Sequence, residues 1–258
     1  MNTMYKKSPL IEVIYQVRFP TILLINNKDS SEFISFWNEI KTDYPEFSEN
    51  FDEQKEISIN PDGTPSTVRV NKIKNFVFIS EDKLWKVNLT NSFLSLSTHK
   101  YEHWNDFSNR LTKLINSFQK IFSPLFYTRV GLRYIDLIQR SRYELDNIEW
   151  KEIIKSYYLG NLINLNNETI NSYISEIESL SPDKRIGIKS HIELVNTQNI
   201  KTNLIEKSLI FDTDYYINSK TELEQLETIN KELHSQSHDF IHNAVKETLE
   251  EKMEPTTI

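Results

Sequence analysis

The sequence predicts an α+β protein: a predominantly antiparallel β-sheet with helices packed on one face, a split-βαβ-like first half and a long C-terminal helix. Three observations carry this. Ser8–Pro20 and Leu125–Gln139 alternate with the period of two that marks strands. Between them, apolar residues recur at helical spacing in two stretches, each ended by a proline. Successive strand-like runs from 75 to 98 are joined by links short enough for hairpins.

In chain order, Ser8–Pro20 is the first expected strand. Val13, Tyr15, Val17 and Phe19 lie on its core face, with Glu12, Gln16 and Arg18 on the other, and Pro9 and Pro20 bracket it. Asn27–Tyr44 is an expected helix, capped by Ser30 or Asp29, with Phe33, Phe36, Trp37 and Ile40 on its apolar stripe. The acidic stretch 46–56 reads as an irregular solvated loop. Weak strands follow at Lys55–Asn60 and Thr67–Val70, around the turn Pro61-Asp62-Gly63. A meander covers Asn75–Ser80, Leu84–Thr90 and Phe93–Thr98. Tyr101–Ile121 is a helix with Trp104, Phe107, Leu111, Leu114 and Phe118 on one face. Leu125–Gln139 then returns, expected beside the first strand as in split βαβ folds.

The second half carries a short helix within Leu145–Tyr158, an Asn-rich loop, and a helix or connection over Glu168–Leu180. Strands follow at Gly187–Asn196 and Glu206–Ile217. The closing helix spans Thr221–Glu251, with Glu222 and Glu224 in its first turn. No Pro/Gly/Ser linker divides the chain. A single domain over 1–258 is expected, with a sub-boundary near 140–147 between a 1–139 half and a 148–258 half.

Composition excludes several chemistries. There is no cysteine, so disulfides, zinc–thiolate sites, iron–sulfur clusters and Cys nucleophiles are ruled out. With four glycines the chain has no Gly-rich nucleotide loop, and neither Gly-x-x-x-x-Gly-Lys-Ser/Thr nor Gly-x-Ser-x-Gly occurs. Net charge is −7, from 37 acidic and 30 basic residues, which does not favour nucleic acid as a partner. No apolar run approaches the ~18 residues of a membrane span, and the expectation is a soluble cytoplasmic protein.

Two side-chain groups are candidate sites. Arg129 and Arg133 stand on one face of Leu125–Gln139, and Glu12 and Arg18 on one face of Ser8–Pro20. Guanidinium forks bind carboxylates and phosphates bidentately, so two or three Arg beside one Glu leave positive charge for an anionic ligand. The competing reading is a structural ion network. His234, His238 and His242 recur at i, i+4, i+8 on the closing helix, a spacing that places imidazoles on one stripe for a metal. The competing reading is a row of boundary histidines. His99, Tyr101, His103 and Trp104 read as packing at a strand-to-helix junction. No cofactor is expected.

The combination Pro9-Leu10-Ile11-Glu12-Val13, Arg18-Phe19, Tyr101-x-x-Trp104-x-x-Phe107 and Arg129-Val130-Gly131-Leu132-Arg133-Tyr134-Ile135-Asp136 resembles a sporadically distributed bacterial family of uncharacterised proteins. The resemblance extends over nearly the whole chain and includes His234 and Phe240 of the closing helix, although the family often has Asn where Asp136 stands here. It implies no established chemistry. Its patchy distribution is similar to that of defence or toxin–antitoxin cargo. The expected function is a non-catalytic binding or adaptor protein with a protein partner, in a bacterial antiphage-defence or toxin–antitoxin-like system. The alternatives are a sensor of a small anionic ligand or nucleotide, and a metal-dependent hydrolase. Homo-oligomerisation through an exposed edge strand is a further expectation.

Overall fold

A computed structural model describes residues 3–59, 65–164, 169–237 and 240–257. The expected turn at Pro61-Asp62-Gly63 and the expected helix residue His238 lie outside them. The chain forms an α+β fold on a nine-stranded sheet. The strands are β2 (Leu10–Arg18), β3 (Glu46–Ile59), β4 (Pro65–Ile79), β5 (Trp85–Leu89), β6 (Phe93–Thr98), β7 (Arg129–Ile138), β8 (Ile174–Leu180), β9 (Gly187–Gln198) and β10 (Ile205–Ile217). Their order is β3-β4-β5-β6-β2-β7-β10-β9-β8, which places β2 beside β7 as the split-βαβ reading expects. Two short strands, β1 (Thr3–Tyr5) and β11 (Pro255–Thr257), pair antiparallel in a separate ribbon.

The chain divides into two compact units. Unit 2 comprises Ile14–Val130 with Ser219–Gln225; unit 1 comprises Met1–Val13, Gly131–Asn218 and Leu226–Ile258. The stretch 140–147 lies inside unit 1, where Tyr143 and Leu145 are part of the core.

In unit 2, helices α1 (Ser31–Ile40) and α2 (Trp104–Phe122) cover one face of the sheet. Ser30 caps α1, its hydroxyl accepting from the Phe33 N–H at 3.2 Å. His103 caps α2 through Nδ1, which accepts from the Asp106 N–H at 3.1 Å. Ser123, at φ 46°, ends α2 in the left-handed region, and Pro124 prevents its continuation. The apolar stripes meet the strands through aromatic contacts. Phe33 lies 4.6 Å from Phe76, Phe19 lies 4.8 Å from Phe118, and Trp85 stacks on Phe107 at 5.8 Å. The Arg110 guanidinium sits 4.4 Å over the Trp85 ring.

Two expectations fail here. The acidic stretch 46–56 is no loop: it forms most of β3, in continuous antiparallel register with β4 from Glu46↔Ile79 to Ser58↔Thr67. The separate strands expected at 67–70 and 75–80 are one strand, β4. An edge strand tolerates charges on both faces because solvent reaches both, and those charges hide the period of two.

In unit 1, one sheet face is covered by α3 (Trp150–Ile153), α4 (Ser156–Leu159) and the closing helical region, around Ile138, Tyr143, Ile192, Leu194, Leu209 and Phe211. Trp150 is buried, with the Arg140 guanidinium 4.7 Å over its ring. The long C-terminal helix is present as α5 (Leu226–Ser237), α6 (Phe240–Ala244) and α7 (Glu247–Lys252). It breaks between α6 and α7 because Val245 turns to a β-bridge with Ile154. There the Lys246 N–H donates to the Ile153 carbonyl at 2.8 Å and the Lys155 N–H to the Ala244 carbonyl at 2.9 Å. Glu168–Leu180, expected as a helix or connection, contains the edge strand β8. Its hairpin to β9 closes on Ser181, whose hydroxyl accepts from the Ile186 N–H. Gly187 follows, where a Cβ would come within 2.4 Å of the Tyr216 ring. No helix among the described residues is long and apolar enough to cross a membrane.

Candidate functional site

Alternation along β7 buries Val130, Leu132, Asp136 and Ile138 and leaves Arg133 on the opposite face, exposed. Arg133 does not stand free. Its Nε donates to Asp212 Oδ1 at 2.5 Å and its Nη2 donates to Oδ2 of the same carboxylate, a bidentate fork. The hydrogen bond to Asp212 is the main cause of a guanidinium pKa raised above its usual value. Burial opposes the rise, and the charges of Asp212, Asp214 and Glu12 add to it. Glu12 and Arg133, both in unit 1, are thus brought within electrostatic reach. Arg18 and Arg129 fall in unit 2, where Arg18 is exposed and donates from Nε to Gln16 Oε1 at 3.0 Å.

Asp212 was not among the sequence candidates. Its signal was the alternation of β10, in which Asp212 and Asp214 interleave with the buried Phe211, Thr213 and Tyr215. The same face continues across the sheet. His191 stands opposite Asp212 and Lys189 opposite Asp214; beyond them Glu176 pairs with His191 and Glu178 with Lys189. Lys189 Nζ reaches Glu176 at 3.0 Å, and His191 lies 3.7 Å from Glu176 and 3.3 Å from Glu193. Within unit 1, among the described residues, the carboxylates Glu12, Glu176, Glu178, Glu193, Asp212 and Asp214 face the permanent cations Arg133 and Lys189. A net acidic face repels anions, and the fork on Asp212 already occupies the guanidinium edge that would grip a phosphate. The chemistry of this face is that of an ion-paired ladder.

The two described histidines of the closing helix have separate engagements. His234 Nδ1 lies 3.2 Å from the Tyr134 hydroxyl. His242 Nδ1 lies 2.7 Å from Glu250 Oε1 and 3.1 Å from the Tyr5 hydroxyl, which itself donates to Glu250 at 3.0 Å. Among the described residues no three His, Asp or Glu side chains converge as a metal site. The Tyr5–His242–Glu250 cluster fastens the strand β1 region to α6 and α7.

Asp136 faces the core, 5% exposed, and its carboxyl is pushed up to about 7 by burial alone. Among the described residues no cation offsets its burial.

Unit 2 carries a different kind of surface. The stripe of α1 buries Phe33, Phe36 and Ile40 but leaves Trp37 37% and Ile34 47% exposed. On β3, Phe47 and Phe51 are 40% and 56% exposed. Trp37 and Phe47 are in contact at 6.3 Å, and Phe47 is backed by Phe78 at 5.4 Å. Leu23 and Leu24, in the 3-10 turn before α1, are 76% and 50% exposed. The sequence reading missed this surface because it placed Trp37 in the core and Phe47 and Phe51 in a loop. A polar hollow of about 440 Å³ lies between α1 and α2, lined by Glu39, Lys113 and Lys120. Its lysines are already paired, Lys120 with Glu39 at 2.8 Å and Lys113 with Asp43 at 2.5 Å.

No protein-family model matches the chain, and no curated protein matches it.

Proposed function

We propose that the protein is a non-catalytic binding or adaptor protein, which docks a protein partner on the aromatic surface of unit 2. The observation that carries this is the exposure of Ile34, Trp37, Phe47 and Phe51 on adjoining elements, backed by a rigid aromatic core. Exposed apolar patches on folded chains mark interaction surfaces, and Trp and Phe anchors supply much of the binding energy at such surfaces. The narrower reading, a partner subunit in a bacterial antiphage-defence or toxin–antitoxin-like system, is supported by the motif resemblance alone.

The test is affinity capture from the native host, comparing the unaltered chain with Trp37→Lys and Phe51→Asp. Both positions are partly solvent-facing, so each variant keeps the fold, checked by circular dichroism and thermal melting. The captured partner is identified by mass spectrometry, and its affinity for either variant falls at least about 30-fold, the loss of one anchor residue. Equal capture by all three proteins refutes the assignment of this surface.

A further inference from the structure

We infer that β8 is the seam of a two-fold dimer, in which two copies of this chain lay their β8 strands side by side, antiparallel, about an axis through Ile177. β8 ends the sheet order and, among the described residues, pairs only with β9. Edge strands of stable monomers are blunted by charge, above all lysine, by proline or by a bulge. β8 has no lysine, proline or bulge, and its only charges are Glu176 and Glu178: its sequence is Ile-Ser-Glu-Ile-Glu-Ser-Leu, and its register with β9 runs unbroken from Ile174↔Glu193 to Leu180↔Gly187. Three large aliphatic side chains on it face solvent, with Ile174 58%, Ile177 48% and Leu180 59% exposed.

The argument for a second copy, rather than another strand, is the symmetry of the segment. A two-fold interface must be self-complementary. Read from either end, β8 is aliphatic, Ser, Glu, Ile, Glu, Ser, aliphatic. An axis through Ile177 therefore sets Ile174 against Leu180, Ser175 against Ser179, and Ile177 against itself.

The backbone has the matching phase. In an antiparallel ladder the N–H and C=O groups of alternate residues point to opposite edges. The Leu194 N–H donates to the Tyr173 carbonyl at 3.0 Å and the Ser181 N–H to the Ile186 carbonyl at 2.8 Å. Odd-numbered residues of β8 thus bond towards β9. Ile174, Glu176, Glu178 and Leu180 point their backbone groups outward, and the axis pairs 174 with 180 and 176 with 178. Ile177 then meets its own copy at a non-hydrogen-bonded position, where Cα atoms approach to about 4.5 Å. Glu176 also meets Glu178. Lys189, 3.0 Å from Glu176, and Tyr216, which donates to Glu178, offset this repulsion in part, so association strengthens as salt rises.

The chain has no cysteine, so single substitutions give a clean readout. Ile177→Cys in the full chain, mildly oxidised, forms a disulfide dimer at least about 10-fold faster than Thr202→Cys, a control at an exposed position of unit 1, because a Cα separation of about 4.5 Å lies within disulfide range. Ser175→Cys alone does not exceed the control, whereas Ser175→Cys mixed with Ser179→Cys gives the mixed dimer. Sedimentation equilibrium of the unaltered chain shows a concentration-dependent dimer, and Ile177→Lys shifts it to monomer with an unchanged circular dichroism spectrum. Cross-linking of Ile177→Cys at the control rate, or an unaltered chain that stays monomeric at every concentration and salt level, overturns the proposal. Rapid self-linking of Ser175→Cys overturns the register.

Discussion

Replacing Asp136 with Asn removes a carboxyl titration that sits in the core of unit 1. Burial raises the Asp136 carboxyl from 3.8 to about 7, with no cation to oppose it. The folded chain therefore holds a proton that the unfolded chain has already released. Stability falls as pH rises from about 3.8 towards about 7 and stays low above that. The span corresponds to on the order of 4 kcal/mol, since each unit of pKa is worth 1.36 kcal/mol. Asp136→Asn keeps the shape and cannot ionise. Urea unfolding at a series of pH values from 5 to 8, for both proteins, is the assay. The unaltered chain loses stability over this range; Asp136→Asn has a flatter profile and is the more stable protein at pH 8, by up to about 4 kcal/mol. Parallel profiles for the two proteins would mean that Asp136 ionises freely in the folded state, and the burial argument would be wrong.

Two further outcomes follow from the ladder and from the histidines. A double-mutant cycle of Arg133→Ala and Asp212→Ala, read by urea unfolding, gives a coupling of about 1 kcal/mol, as expected for a bidentate pair that water partly reaches. Phosphate or ATP leaves the melting temperature of the unaltered chain unchanged; a rise that Arg133→Ala abolishes would support the anion-pocket reading instead. Zinc raises the melting temperature by less than about 1 °C, because metal stabilises a fold only by binding it and His242 is already held by Glu250. A larger rise that His242→Ala removes would show that the closing helix does bind metal.

Which parts of the fold were legible depended on burial. β2, β7, β9 and β10 each have one face against a core, so their sequences alternate and their positions could be read. β3 and β8 are edge strands, with most of 46–51 and most of Ile174–Leu180 exposed, so no alternation marks them. The candidate site was only partly legible, for a related reason. Arg133 on its strand was visible, but its partner lies 79 residues away, and no local rule joins them. What the sequence did hold was the pair Asp212 and Asp214 interrupting an apolar strand, a match for charges on another strand. Trp37 falls at core spacing on α1, yet it sits at the border of the apolar stripe, where spacing alone does not separate a buried ring from an exposed one.

The division of the chain between the two units bears on how it is made. Unit 1 takes its chain from both sides of unit 2, leaving after Val13 and resuming at Gly131. Ribosomal synthesis delivers Thr3–Tyr5 long before its ribbon partner Pro255–Thr257. Most of unit 2 has then left the ribosome while Tyr5 still waits for His242 and Glu250. A nascent chain thus carries Thr3–Tyr5 unzipped until residues 242–257 emerge, and a ribosome that stalls before residue 242 leaves that segment open to proteases and chaperones.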